Sequence, residues 1–135
     1  MSLSEPSLEA DLVARTVLDA AFSVRKGLGV GLVEKAYVRA LAAELRARGV
    51  EVATEVDVSL VVDGERIVGG RADLVVERKV LVEVKATELP LPRHRAQALT
   101  YLRCSTCEIA FVLNFCVHPF RSGIQRLVLT GRGGR

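Results

Sequence analysis

A mixed β-sheet flanked by helices, an α/β or α+β arrangement, is the fold class this sequence predicts, and three observations predict it. Apolar residues recur at helical spacing up to Arg48, switch to period two between Val50 and Lys85, and return to helical spacing after Pro92. Asp63-Gly64 and Glu77-Arg78-Lys79 each lie between alternating runs, where hairpin turns belong. Ile109 to Phe115 is almost wholly apolar, the composition of a strand at the centre of a sheet.

The elements follow in order. Met1 to about Ser7 reads as a loose lead-in. Leu8, Leu12, Val13, Val17, Ala21 and Val24 then form the stripe of a first helix, which Gly27 and Gly29 stop. A second helix runs from about Leu32 to Arg48, burying Val33, Ala36, Tyr37, Ala40, Leu41, Ala43 and Leu45, with Gly49 as its natural C-terminal residue. Val52, Thr54, Val56, Val58 and Leu60 alternate with polar residues up to the Asp63-Gly64 turn. A short return strand covers Glu65 to Val68, and Gly69-Gly70 interrupts the ladder with a bulge or bend before the hairpin from Asp73 to Lys85. Pro90 and Pro92 precede a third helix, about Arg93 to Arg103, whose buried face is Ala96, Leu99, Thr100 and Leu102. Strands Ile109–Phe115 and Ile124–Leu129 complete the order helix, helix, four strands, helix, two strands, and the tail from Gly131 to Arg135 is expected to be disordered. No linker or repeat divides the 135 residues, which are expected to form one domain.

Half of the residues are hydrophobic and 4% are aromatic, so the core is built from Val, Leu and Ala. No apolar run reaches the roughly 18 residues a membrane span needs. Glu5, Glu9 and Asp11 stand where a secretory signal would carry basic residues. A cytoplasmic location follows, in keeping with three cysteines expected as thiols. The net charge of +3 is compatible with a nucleic-acid partner, and Arg93-His94-Arg95 and the C-terminal arginines are the clusters that would meet it.

The chemistry concentrates in the Asp73–Lys85 hairpin. With Glu77, Arg78 and Lys79 as the turn, Asp73 stands opposite Glu83. Opposed strand residues have Cβ atoms about 4.5–5.5 Å apart, within reach of one shared cation. Lys85 follows on the same face about 6–7 Å further along. Hard oxygen donors of this kind suit Mg²⁺ or Mn²⁺, and a strand carbonyl such as that of Val84 would complete the protein's share. Two carboxylates and an ammonium converging on one point suit metal-assisted attack of water on a phosphodiester. The bland alternative, ordinary cross-strand ion pairs, fits poorly with the apolar neighbours Leu81, Val82, Val84 and Ala86.

Two further residues are ambiguous on pattern alone. Gln97 shares a helix face with Tyr101 and reads as a surface amide. Glu34, in the first turn of the second helix, reads as a capping acid. Cys104, Cys107, Cys116 and His118 suggest zinc, but extended chain from Cys107 to Cys116 would separate those two by roughly 30 Å.

Taken together these residues resemble the GxxExxY family, a bacterial and archaeal branch of the PD-(D/E)XK nuclease-like superfamily. The naming motif reads Gly31-Leu32-Val33-Glu34-Lys35-Ala36-Tyr37, and the other matching blocks are Arg71–Val75, Val82–Ala86, Ala96-Gln97 through Tyr101-Leu102, and Asn114-Phe115. The chain departs from the family at Arg25, where a His is common, and at Val30, where a Pro is. The resemblance implies a restriction-endonuclease-like core in which Asp73 and Glu83 hold Mg²⁺ or Mn²⁺ and Lys85 is the catalytic lysine. It raises Glu34 and Gln97 to members of the site. The implied function is hydrolysis of phosphodiester bonds, with DNA as the expected substrate. Arg71, Arg93, His94, Arg95 and Tyr101 are the expected nucleic-acid contacts. The alternative is a non-catalytic nucleic-acid- or protein-binding module on the same scaffold. A homodimer or a partner protein is expected to supply specificity, and an edge position for Ile124–Leu129 would suit pairing with a second copy.

Overall fold

The computed structural model describes residues 5–129. Helices α1 (Leu8–Leu28) and α2 (Glu34–Ala47) precede strands β1 (Val52–Val62), β2 (Glu65–Val76) and β3 (Val80–Lys85). Helix α3 (Pro92–Arg103), strand β4 (Ile109–Asn114), a short 3₁₀ turn and strand β5 (Ile124–Leu127) follow. The strands form one mixed sheet in the order β1-β2-β3-β4-β5. All neighbours are antiparallel except β3 and β4, which are parallel and joined through α3. This is an α+β fold consistent with the restriction-endonuclease-like core. Among the described residues no helix is long and apolar enough to cross a membrane.

The sheet has an apolar core on each face. One face packs Leu74, Val76, Val82, Val84, Phe111 and Leu113 against α1 and α2. The other packs Leu81, Ala110 and Val112 against Ala98, Tyr101 and Leu102 of α3. β4 is therefore buried along its whole length, as its composition predicts. β5 lies at the sheet edge, also as expected.

Several expectations are corrected. The return strand and the first strand of the Asp73 hairpin are a single strand, β2. The pairing Val58↔Gly70 steps to Ser59↔Val68, so Gly69 is an extra residue accommodated by a bulge and the ladder continues past it. Helix α1 buries Ala10, Ala14, Val17, Ala20, Ala21 and Val24 and leaves Leu8 75% and Leu12 51% exposed. Alanines on that stripe let the α1 backbone lie close to its neighbours, and this rotates the helix away from its leucines. In α2, Ala42 is buried and Val33 and Ala43 are exposed. The lead-in is anchored at Ser7, whose hydroxyl caps α1 at Ala10 N–H and whose own N–H donates to Glu108 Oε1 at 2.7 Å. Residues 1–4 of that lead-in and the expected tail 131–135 lie outside the described residues.

Helix α3 is also rotated from expectation: Ala98, Tyr101 and Leu102 are buried, while Ala96 and Thr100 are exposed. The Tyr101 ring lies on Gly70 of β2, and that contact sets the face. A Cβ at position 70 would overlap the Tyr101 hydroxyl and sit 2.6 Å from the ring Cζ. Gly70→Ala is expected to cost about 1–3 kcal/mol, read from the denaturant midpoint. In a Tyr101→Ala background the same change should cost much less, since the ring it strikes is gone. An equal cost in both backgrounds would show that backbone conformation, and not this contact, selects glycine.

Candidate active site

The β2–β3 hairpin closes through Lys79 N–H donating to the Val76 carbonyl, with Glu77 (φ 52°) and Arg78 (φ 56°) both in the left-handed region. That backbone suits the twist of a tight hairpin and fixes its register. Val76 pairs with Val80, Val75 with Leu81 and Leu74 with Val82. The next pair in register is Asp73 with Glu83, as hairpin counting predicts. Here the ladder ends and side chains replace it. Asp73 N–H donates to Glu83 Oε2 at 3.0 Å, and Val84 N–H donates to Asp73 Oδ2 at 2.7 Å.

Asp73 is also where β2 breaks its alternation. Ala72 joins the core beneath α3, whereas Leu74 joins the core beneath α1 and α2. Strict period two would put both on one face. Across the sheet, Glu55 of β1 has φ 51° and is skipped between the pairs Thr54↔Leu74 and Val56↔Ala72. The acids therefore face each other across a local parting of two strands, and not as a plain same-face pair.

Burial dominates the electrostatics. Glu83 is 3% exposed, and its carboxyl is pushed up to about 7, first by desolvation and then by the Asp73 charge. The Asp73 carboxyl is raised too, chiefly by burial; the Val84 N–H and the Lys85 ammonium pull it down, while Glu34 and Glu55 push it up. Each acid spends one oxygen on backbone. Asp73 Oδ1 and Glu83 Oε1 accept from no donor among the described residues.

Lys85 ends β3 beyond Glu83, half-buried, opposite Asn114 of β4. It shares a cavity of about 400 Å³ with Arg93, His94 and Gln97 of α3. The Gln97 amide is thus brought to the lysine end of the site, as the resemblance implies. His94 serves locally as a cap, its Nδ1 accepting the Leu91 N–H at 3.4 Å. Burial first, and then the Lys85 and Arg93 charges, hold it below the ordinary histidine range.

Glu34 reaches β3 from the opposite side of the sheet. Its Oε2 accepts the Ala86 N–H at 3.2 Å, which ties the first turn of α2 to the end of the lysine strand. The loop before it is held by Tyr37, which is wholly buried. The Tyr37 hydroxyl donates to the Gly29 carbonyl at 2.6 Å and accepts the Leu32 N–H at 3.4 Å. Gly31, at φ 105°, makes the turn that a side chain would strain. Each named position of the motif therefore has a physical role. Glycine turns the chain, glutamate meets β3, and tyrosine fixes the loop between them.

Asn114 is a residue whose role sequence reasoning missed. It is 3% exposed, its Nδ2 donates to the Thr87 carbonyl at 2.9 Å, and its Oδ1 accepts from Thr87 and Cys116 N–H. It holds the segment leaving Lys85. The signal was present: one amide closes the otherwise apolar run Ile109 to Leu113.

The remaining candidates scatter. Arg71 is exposed and paired with Glu55 and Asp57 at 3.4 Å each. Arg93 and Arg95 are exposed on α3. Tyr101 is 8% exposed beneath α3, which leaves little of its ring for nucleic acid. Cys107 is buried in that core, and Cys104 and Cys116 are half-buried.

The donor set fits a hard divalent cation. A buried and a half-buried carboxylate that repel each other present open oxygens, and Mg²⁺ commonly takes one or two carboxylates and keeps several waters. Among the described residues no three His, Cys, Asp or Glu side chains gather around one point. Glu34 is a neighbouring charge that pushes both acids up. A family model described as the PD-(D/E)XK nuclease superfamily matches residues 11–127. No curated protein and no solved structure matches the chain.

Proposed function

The chain belongs to the PD-(D/E)XK nuclease superfamily, and from that premise we propose that it is a Mg²⁺- or Mn²⁺-dependent nuclease hydrolysing phosphodiester bonds of DNA. Within the superfamily, Gly31, Glu34 and Tyr37 support placement in the GxxExxY branch. The observation that carries the reading is the desolvated Asp73–Glu83 pair with Lys85 beside it. Nothing in the fold requires two like charges to be brought together at a strand junction, and both acids are raised by that placement.

A divalent cation held by Asp73 and Glu83 would supply charge neutralisation for the phosphate under attack. Lys85 places its ammonium beside the reacting phosphate, orienting the attacking water and offsetting the charge that develops on the non-bridging oxygens. Gln97 donates its amide to the same phosphate from α3. Glu34 acts through Ala86 N–H, holding the end of β3 so that Lys85 keeps its distance from the acids. Water gives up one proton to solvent as its oxygen bonds to phosphorus, the bridging ester bond breaks, and the leaving oxygen takes a proton from solvent. We place the protein in the cytoplasm. The free edge of β5 supports pairing with a second copy.

The test is cleavage of labelled DNA and RNA oligonucleotides with Mg²⁺, Mn²⁺ or chelator. Cleavage should need the metal and stop with chelator. Lys85→Ala should retain calorimetric metal binding and lose on the order of 10²–10⁴ in rate. Metal-independent binding without cleavage, equal in the wild type and Lys85→Ala, would favour the non-catalytic module instead.

A further inference from the structure

A second cavity, of about 370 Å³, opens on the other side of Asp73. Lys35, Val38 and Arg39 of α2 line it, together with Thr54, Glu55, Arg71 and Asp73 of the β1–β2 ladder. We propose that this cleft is a subsite for the sugar-phosphate backbone of a nucleic-acid duplex, with Lys35 and Arg39 as its phosphate contacts and Arg71 beside them. The inference rests on the nuclease reading of the Asp73–Glu83 site and extends the substrate's path beyond it.

Three observations support it. Lys35 and Arg39 stand one turn apart on α2, a like-charge pair that weakens a helix. Lys35 also sits in the first turn, where the helix dipole disfavours a cation. Both side chains are exposed, and among the described residues neither has an acidic partner within salt-bridge distance, whereas Arg71 is paired with Glu55 and Asp57. An arrangement unfavourable to the isolated chain becomes favourable once an anion lies between the two cations.

The cleft's position gives that anion its identity. Asp73 lines this cavity, and Lys85, on the far side of the acids, lines the cavity shared with Arg93, His94 and Gln97. A polyanion crossing the acid pair therefore meets cations on either side of it. Neither cavity is lined by a Phe, Tyr or Trp on which bases could stack. It has four Phe, two Tyr and no Trp. Tyr37, Tyr101, Phe111, Phe115 and Phe120 are buried; Phe22 is exposed, but it stands edge-on to Phe120 and lines neither cavity. Single-strand binders rely on exposed aromatics for base contact. Here charge is what remains, and charge reads phosphates without reading sequence.

The test is fluorescence anisotropy of two short labelled DNA duplexes of unrelated sequence across a salt series, using the full chain with chelator and no added metal. Lys35→Ala/Arg39→Ala should weaken binding equally on both duplexes and lower the slope of log K against log salt by about 2. Arg15→Ala/Lys26→Ala, which removes the same charge from exposed positions on α1, should leave the slope unchanged. An unchanged slope in the first variant, an equal loss in the second, no binding of duplex by the wild type, or tighter binding of the unpaired strand would each overturn the proposal. Because the readout needs no catalysis, a wild type that binds through Lys35 and Arg39 but cuts nothing with any metal would end the nuclease reading and leave this subsite standing. Circular dichroism of both variants confirms that each loss is read on folded protein.

Discussion

Asp73→Asn should abolish divalent-metal binding and cleavage together, and should make the metal-free protein more stable. The amide is nearly isosteric, and its oxygen can still accept the Val84 N–H that Asp73 Oδ2 takes at 2.7 Å. What it loses is the charge. A neutral amide beside Glu83 is a poor partner for Mg²⁺, so calorimetric titration with Mn²⁺ should show no site and cleavage should fall below detection. Removing that charge also relieves the repulsion that helps to raise the Glu83 carboxyl. Denaturant unfolding at pH 8 in chelator should therefore give a higher midpoint than the wild type. Functional sites commonly carry this opposition of activity and stability. A variant that cuts at the wild-type rate would remove Asp73 from the site; one less stable at pH 8 would show that the acid is there for structure.

The second large effect is a stability that falls as pH rises in the absence of metal. Glu83 ionises near its ordinary 4.5 in the unfolded chain and at about 7 in the folded one. Between those values the folded state holds a proton that the unfolded state lacks, so unfolding releases it and stability declines with rising pH. The contribution is fully present below about 4.5 and is lost as pH passes through 7. The difference between 4.5 and about 7 corresponds to about 3 kcal/mol. Asp73 is raised as well and acts in the same sense. Glu108, lowered by its Ser7 and Lys79 contacts, and His94, held below the ordinary 6.5, have the opposite sign. The Glu108 window lies below the ordinary 4.5, while the His94 one, below 6.5, offsets part of the decline. Urea titrations in chelator at pH 5 and pH 8 should show the decline, and Glu83→Gln should flatten it. Saturating Mg²⁺ should reverse it, because the cation binds the deprotonated pair. A profile that is flat for the wild type would mean that the acids are hydrated and not desolvated.

Much of this was legible from the chain. The hairpin register follows from arithmetic: a turn at Glu77-Arg78-Lys79 forces Asp73 against Glu83, whatever the rest of the protein does. β4 announces itself because a parallel strand covered on both faces must be apolar. What was not legible depends on partners distant in sequence. The rotation of α3 is set by Tyr101 settling on Gly70, a contact no helical pattern contains. The rotation of α1 follows from alanines, which carry little hydrophobic signal beside Leu8 and Leu12. β2 reads as two strands because a glycine pair looks like a break; of the bulge or bend expected there, the pairing of Ser59 with Val68 selects the bulge. The break of alternation at Asp73 is invisible to any rule that assumes alternation. Lys35 lies inside the motif without a signal of its own, since a cation on a helix surface has no meaning until the strand opposite it is known.

Anyone wishing to transplant the Gly31–Tyr37 motif into another scaffold would find that it does not travel alone. The Tyr37 ring lies flat on Phe115 at 4.6 Å, and Phe115 in turn on Phe120 at 4.9 Å. Both partners come from the far end of the chain, after β4. The seven residues are thus the visible part of a lever whose fulcrum is an aromatic stack contributed more than seventy residues later. A graft would need to bring Phe115 and Phe120 with it, or the glutamate would arrive without an address.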